Sequence, residues 1–249
     1  MDKTNTKVCE VIDAWPSHSF IYQHVSSMVT LGKSIFPIAV TQANDSSNPA
    51  SIQPLGQRQL VKILSRPFSI SHLPGIQRFL ASPLGIRLWQ WRIKKKLFPA
   101  FKKICPDLIH FHWIEFAILF RSIPETLGVP YTVSLRGSEV RVLPLATVAK
   151  TEQIKTTLEH ASGIHTVCKD LGRHLEYYPF RKIPTTTIYT CVTFPNQLPP
   201  YPGVNGAIQF LSVGRMHWTK GYPDLLWALK RLQHHHIPWQ LTIAGHGPD

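Results

Sequence analysis

The chain has 249 residues, 43% apolar and 10% aromatic, enough to bury the core of one large domain or two smaller ones. Its 27 Lys and Arg against 14 Asp and Glu leave a formal charge of +13, which favours anionic partners such as phosphates, acidic lipid or nucleic acid. No run reaches the roughly eighteen apolar residues of a membrane-spanning helix. The opening MDKTNTKVCEVIDAWP lacks a signal peptide's apolar centre, and four scattered cysteines without a C-x-x-C pair fit a reduced, cytoplasmic protein.

Taken in order, VCEVIDAW reads as a buried strand, SFIYQHVSSMVTLGK as a helix with apolar spacings of three and four, and IFPIAVTQ as a second strand. From Ala43 to Leu84, Ser, Pro and Gln dominate, and only loops and short helical pieces are expected. A basic helix over Arg87 to Ile104 leads through Pro106 into the strand LIHFHW. A helix near Glu115 to Leu127, the strand YTVSLRG, a helix near Leu145 to Ala161, the strand GIHTVC, a helix near Lys169 to Tyr178 and the strand TTTIYTCV follow. This alternation predicts an α/β fold with a parallel sheet covered on both faces. The Pro- and Gly-rich PNQLPPYPGVNG marks a linker at 195–206 between a domain at 1–194 and a strand-helix-strand piece at 207–249.

That last piece carries the strongest chemical signal. In QFLSVGRMHWTKGYPDLLWALKRL, Gly214 closes a strand and lets a ligand approach the backbone, and the helix starting near Tyr222 or Pro223 directs N–H groups toward the same space. Arg215 can bind phosphate oxygens bidentately and Lys220 can add a mobile charge. Taken alone, the string also fits a plain turn beside two solvated cations.

The wider context strengthens the phosphate reading. The pattern strand-VGR-x-x-x-x-KG-x-x-x-LL-x-AL, then L-x-I-x-G-x-GP, resembles the donor-binding domain of GT-B glycosyltransferases, in particular the large retaining family four, also called glycosyl transferases group one. Ser17-His18-Ser19-Phe20-Ile21 resembles the opening string of the branch that builds exopolysaccharides. PDLIHFHW, VSLRGSEV and ASGIHTVCKDLGRHL resemble three further segments of the same family, whereas residues 44 to 104 carry almost none of the likeness.

The resemblance implies an acceptor-side Rossmann-like domain followed by a donor domain that binds a nucleoside-diphosphate sugar, with a hexose passing to a saccharide or lipid-linked acceptor. By position, Gly214, Arg215 and Lys220 hold the donor diphosphate; His112, Arg136, Gly137 and Glu139 line the acceptor side; and His112, Arg215 and Lys220 are the implied catalytic residues. The sequence departs from the family at Arg136, where His is usual, at Glu139, where Asp is usual, and at Cys191, where Gly is usual. The family's later pair of glutamates has no counterpart before Asp249, so the donor domain is expected to be incomplete. The isolated chain is then expected to bind donor weakly and turn over negligibly, with a truncated sequence, a gene fragment and a split enzyme completed by a second polypeptide all open.

Other groupings are weaker. His110 and His112 lie two apart on a strand, a spacing that admits a metal, although a buried polar pair or an acceptor contact from His112 is the preferred reading. With no Asp-x-Asp anywhere, the leaving group is expected to be stabilised by cations without a metal cofactor. Glu115 and Glu139 read as helix caps that can also position a sugar hydroxyl. RLWQWRIKKKLFPAFKKI, with seven cations among Trp and Phe, suits either peripheral contact with an anionic membrane or a solvated helix packed on the sheet; no nucleic-acid motif accompanies it. A non-catalytic basic module that binds membrane or a partner protein is the alternative function.

Overall fold

The computed structural model describes residues 6–15, 19–42, 62–65, 82–178, 183–190 and 206–247. Apart from Gly206 the predicted linker lies outside these, as does much of the region from 44 to 84. Two compact units are present, Met1–Val192 and Thr193–Asp249.

The first unit is built on seven parallel strands in the order β3-β2-β1-β4-β5-β6-β7. In chain order it comprises β1 (Lys7–Trp15), α1 (Ser19–Thr30), β2 (Ser34–Gln42), β3 (Lys62–Ser65), α2 (Pro83–Ile104) and β4 (Leu108–Phe111). After these come α3 (Ile114–Phe120), α4 (Ser122–Leu127), β5 (Tyr131–Leu135), α5 (Ser138–Arg141), α6 (Leu143–Ala146), α7 (Val148–Glu159), β6 (Gly163–Thr166), α8 (Lys169–Leu175) and β7 (Thr185–Thr187). The order reverses direction between β1 and β4, which makes that junction the topological switch point of a Rossmann-like sheet.

Side-chain alternation along the strands divides the unit's chemistry. Cys9 and Val11, Ile109 and Phe111, and Tyr131, Val133 and Leu135 point to one face, where they join Ile93, Leu97, Ala100 and Phe101 of α2 in the main core. Ile12 lies on the opposite face with Ile21 and Val25 of α1 in a smaller cluster. That second face also carries Glu10, His110, Thr132 and Ser134, each one residue out of step with the core positions. The same period that fills the core therefore lays a polar row across the middle strands.

Several boundaries differ from expectation for local reasons. α2 starts at Pro83, not Arg87, because Ser82 caps it by accepting from the Gly85 N–H at 3.2 Å and proline suits the first helical position. The helix expected over 115 to 127 is two helices meeting at Arg121. Pro124 lacks the N–H that would bond the Phe120 carbonyl, and its ring crowds that carbonyl. Likewise α7 begins at Val148, where Thr147 accepts from the Lys150 N–H.

The second unit is one βαβ: β8 (Ile208–Val213), a 3-10 turn (Trp218–Lys220), α9 (Tyr222–His234) and β9 (Trp239–Ala244), with the two strands parallel.

Candidate functional site

In the first unit the candidate side chains gather at the switch point. His112 follows directly on β4, is 3% exposed, and points the same way as His110, their ring centroids 4.7 Å apart at nearly a right angle. Its Nε2 lies 3.2 Å from Glu10 on β1, and its Nδ1 lies 3.3 Å from the Arg136 guanidinium. A guanidinium only donates, so Nδ1 accepts and the hydrogen sits on Nε2, which donates to Glu10. Arg136 is itself fixed: its Nε donates to the His112 carbonyl, and its Cζ lies 4.4 Å from the Phe20 ring centroid and 5.4 Å from that of Trp113.

Glu10 is the centre of this cluster. It is 2% exposed and also accepts from His24 on α1, at 2.8 Å. Burial alone would raise its pKa, but the hydrogen bonds from His112 and His24 outweigh it and hold the carboxyl below the usual range. The bond to Glu10 raises the pKa of His24 against the opposing effect of burial. Glu139, 2% exposed at the start of α5, accepts from the Arg136 N–H at 3.2 Å. Between them Gly137 has φ of +143°, a conformation that side chains rarely adopt. Glu115 lies in the first turn of α3, its carboxyl raised chiefly by burial and further by Glu139.

Ligand atoms of Glu10, His24 and His112 lie within 4.8 Å of one another, a spacing a metal could use. The surroundings oppose it. Metal on His112 Nε2 would leave a hydrogen on Nδ1, facing the donor-only Arg136. The set behaves as a carboxylate shared by two imidazoles.

Beyond it the polar row continues in one direction. The Ile188 carbonyl can only accept, so His165 Nε2 donates to it at 3.0 Å. Burial, with Arg136 and His112 acting the same way, lowers the pKa of His165, so its Nδ1 accepts from the Ser134 hydroxyl at 2.8 Å. Ser134 then accepts from His110 Nε2 at 2.9 Å, and His110 Nδ1 accepts from Thr132 at 2.7 Å. Burial holds His110 well below its usual pKa, in keeping with a neutral ring that both accepts and donates.

The second unit holds the turn around Gly214. Gly214 donates its N–H to the Ala244 carbonyl, and its own carbonyl accepts from the Tyr222 hydroxyl at 3.1 Å. A side chain at Gly214 would meet that hydroxyl at 3.2 Å and the Lys220 stem at 3.8 and 3.9 Å, so Lys220 lies along the turn. Arg215 and Lys220 are both exposed. Gly221, at φ of +67°, caps the 3-10 turn and leads into α9, whose first turn carries Asp224. The GHG after β9 is explained by crowding: a side chain at Gly245 would run into the Gly214 carbonyl, and one at Gly247 into the Met216 carbonyl.

The structure thus brings His112, Arg136, Gly137 and Glu139 together in the first unit, and Gly214, Arg215 and Lys220 together in the second. Sequence reasoning missed Glu10, His24, Ser134 and His165. Glu10 had a usable signal, a carboxylate inside the apolar run VCEVI, where burial demands a partner.

No protein-family model and no curated protein sequence matches the chain. Among solved structures it is similar to sucrose-phosphate synthase from Thermosynechococcus elongatus, at 12% identity and a TM-score of 0.59, over 96% of this chain and 62% of that one. It is similar to the apo form of the lipopolysaccharide outer core galactosyltransferase WaaB, at 14% identity and a TM-score of 0.60, over 98% of this chain and 62% of that one. A third likeness is to Arabidopsis thaliana UGT89C1 complexed with UDP-L-rhamnose, at 14% identity and a TM-score of 0.56, over 98% and 69%. At these identities the likeness concerns the fold: the chain has a GT-B-type, Rossmann-like first unit and one βαβ of a second. It spans less than two thirds of the length of the first two structures.

Proposed function

We propose that this chain belongs to a glycosyltransferase of the retaining family four, transferring a hexose from a nucleoside-diphosphate sugar to a saccharide or lipid-linked acceptor on the cytoplasmic side. The observation that carries the reading is the turn of the second unit, where Gly214 closes β8, Lys220 lies against it, and the backbone leads into the N-terminus of a thirteen-residue helix. Such a turn presents fixed charge and backbone N–H groups to an anion.

In this proposal Arg215 takes the diphosphate oxygens bidentately and Lys220 adds a point charge. Together they stabilise the negative charge that develops as the bond from sugar to phosphate breaks, in place of a metal. On the acceptor side, Arg136 has N–H groups beyond those that bind His112 to donate to a sugar hydroxyl, while His112, its two ring nitrogens taken by Glu10 and Arg136, holds that guanidinium in place with the Phe20 and Trp113 rings. Glu139 and Gly137 shape the turn that holds Arg136.

The test is saturation-transfer NMR of the chain with UDP, GDP, UMP and GMP. The proposal expects stronger saturation of at least one diphosphate than of its monophosphate; equal saturation of all four would refute a diphosphate site.

A further inference from the structure

The outer face of α2 has a pattern that catalysis does not account for. Helical spacing sorts its 22 residues into opposite faces. Ile93, Leu97, Ala100 and Phe101 are buried in the core. On the other side Leu84, Leu88, Trp91, Lys95, Phe98 and Lys102 follow one another at alternating steps of four and three, which places them in one straight stripe. The four apolar members are 59%, 45%, 54% and 37% exposed, too much contiguous apolar surface for a helix that merely faces water.

Cations border this stripe. Arg87 and Lys94 run along one flank and Lys103 along the other, and the helix carries seven Lys or Arg and no carboxylate. Lys95 Nζ lies 3.9 Å from the Trp91 ring centroid. Trp91, Lys94, Lys95, Phe98 and Pro99 also form one wall of a groove of about 390 Å³ closed by Ser122, Ile123 and Thr126.

We propose that the outer face of α2 docks the chain on the surface of an anionic phospholipid bilayer. Leu84, Leu88, Trp91 and Phe98 enter the boundary between headgroups and acyl chains, while Arg87, Lys94, Lys95, Lys102 and Lys103 lie at the level of the phosphates. A nucleic-acid backbone would match the cations but has no use for the two leucines, whereas a bilayer uses both halves of the pattern. This inference is independent of the glycosyltransferase reading.

The experiment is sedimentation of the 249-residue chain with vesicles of phosphatidylcholine alone or with about 30% phosphatidylglycerol, at about 0.1 M salt. Binding is expected to be at least about tenfold stronger to the anionic vesicles. Trp91→Ala with Phe98→Ala should weaken it by about tenfold or more, and Lys94→Gln, Lys95→Gln and Lys102→Gln together by roughly a hundredfold. Both variants should stay folded, read as the parent's circular dichroism, since none of the altered side chains is buried. Equal binding to neutral vesicles, or variants that bind as the parent does, would overturn the proposal. So would a single-stranded oligonucleotide that strips the chain from vesicles at equal phosphate concentration.

Discussion

Replacing Glu10 by glutamine tests the buried cluster of the first unit most sharply, because it keeps the shape and removes only the charge. Glu10 accepts two imidazole hydrogens, one from buried His112 and one from His24, whose side chain is 46% exposed. The buried, charge-assisted bond is worth about 1.5–3 kcal/mol. Solvent screening reduces the half-exposed one to about 0–1 kcal/mol. A glutamine oxygen can still accept from His112, retaining about 1 kcal/mol as a neutral bond. Its amide then faces His24, which must give up its proton there. The net loss is therefore about 2 kcal/mol near pH 7, and Glu10→Ala, which leaves both partners unsatisfied, should cost about 3–5 kcal/mol. Urea unfolding gives the stabilities, and the ring signals of His24 by NMR give its titration, which should move to lower pH in the glutamine variant. Because the folded-state pKa of Glu10 is depressed, its contribution is present above the unfolded value near 4.5 and is lost as pH falls through the folded value. A glutamine variant within about 0.5 kcal/mol of the parent, with His24 titrating unchanged, would refute the shared-carboxylate geometry.

Acid should destabilise the fold well before the carboxylates titrate. His110 is held below its usual value of 6.5, so under that pH the unfolded chain binds a proton that the folded one refuses, and stability should fall by about 1.4 kcal/mol per pH unit. His165 adds to the fall, whereas His24, whose folded value is raised, contributes fully below pH 6.5 and loses its contribution as pH rises above it; urea midpoints at a series of pH values would contradict this if they stayed level from neutrality to mild acid. In the core, Phe111→Ala removes a fully buried ring and should cost about 3–5 kcal/mol by the same assay, a cost under about 1 kcal/mol being incompatible with the packing. Gly245→Ala drives a methyl group into the Gly214 carbonyl and should loosen the second unit, read as faster amide exchange in β8 and β9, while exchange as slow as in the parent would contradict the close approach.

Much of the fold was legible because the apolar runs are short, separated by turn residues, and alternate with helical spacing. β1, β4, β5 and β6 follow from VCEVI, LIHF, YTVSL and GIHT. What escaped depends on contacts that sequence spacing does not carry. β3 pairs with β2 through only three registered residues and has no alternation long enough to notice. The polar row escaped because Glu10, Ser134 and His165 belong to different strands, and only the sheet register brings them onto one face with His110. Arg136 read as a departure from a family pattern, yet its place between Phe20 and Trp113 shows what a longer cation does there. The geometry of the Gly214 turn was easier to read, since Gly214, Arg215 and Lys220 lie within seven residues of one another and their arrangement is local.

The most direct measurement is calorimetric titration of the chain with UDP and with GDP, beside a variant carrying Arg215→Ala and Lys220→Ala. The account expects weak binding of at least one diphosphate, with Kd on the order of 0.1–1 mM, lost by about tenfold or more when the two cations are removed. Binding that survives in the variant, or no binding by the parent chain, would contradict the placement of a donor diphosphate at the Gly214 turn.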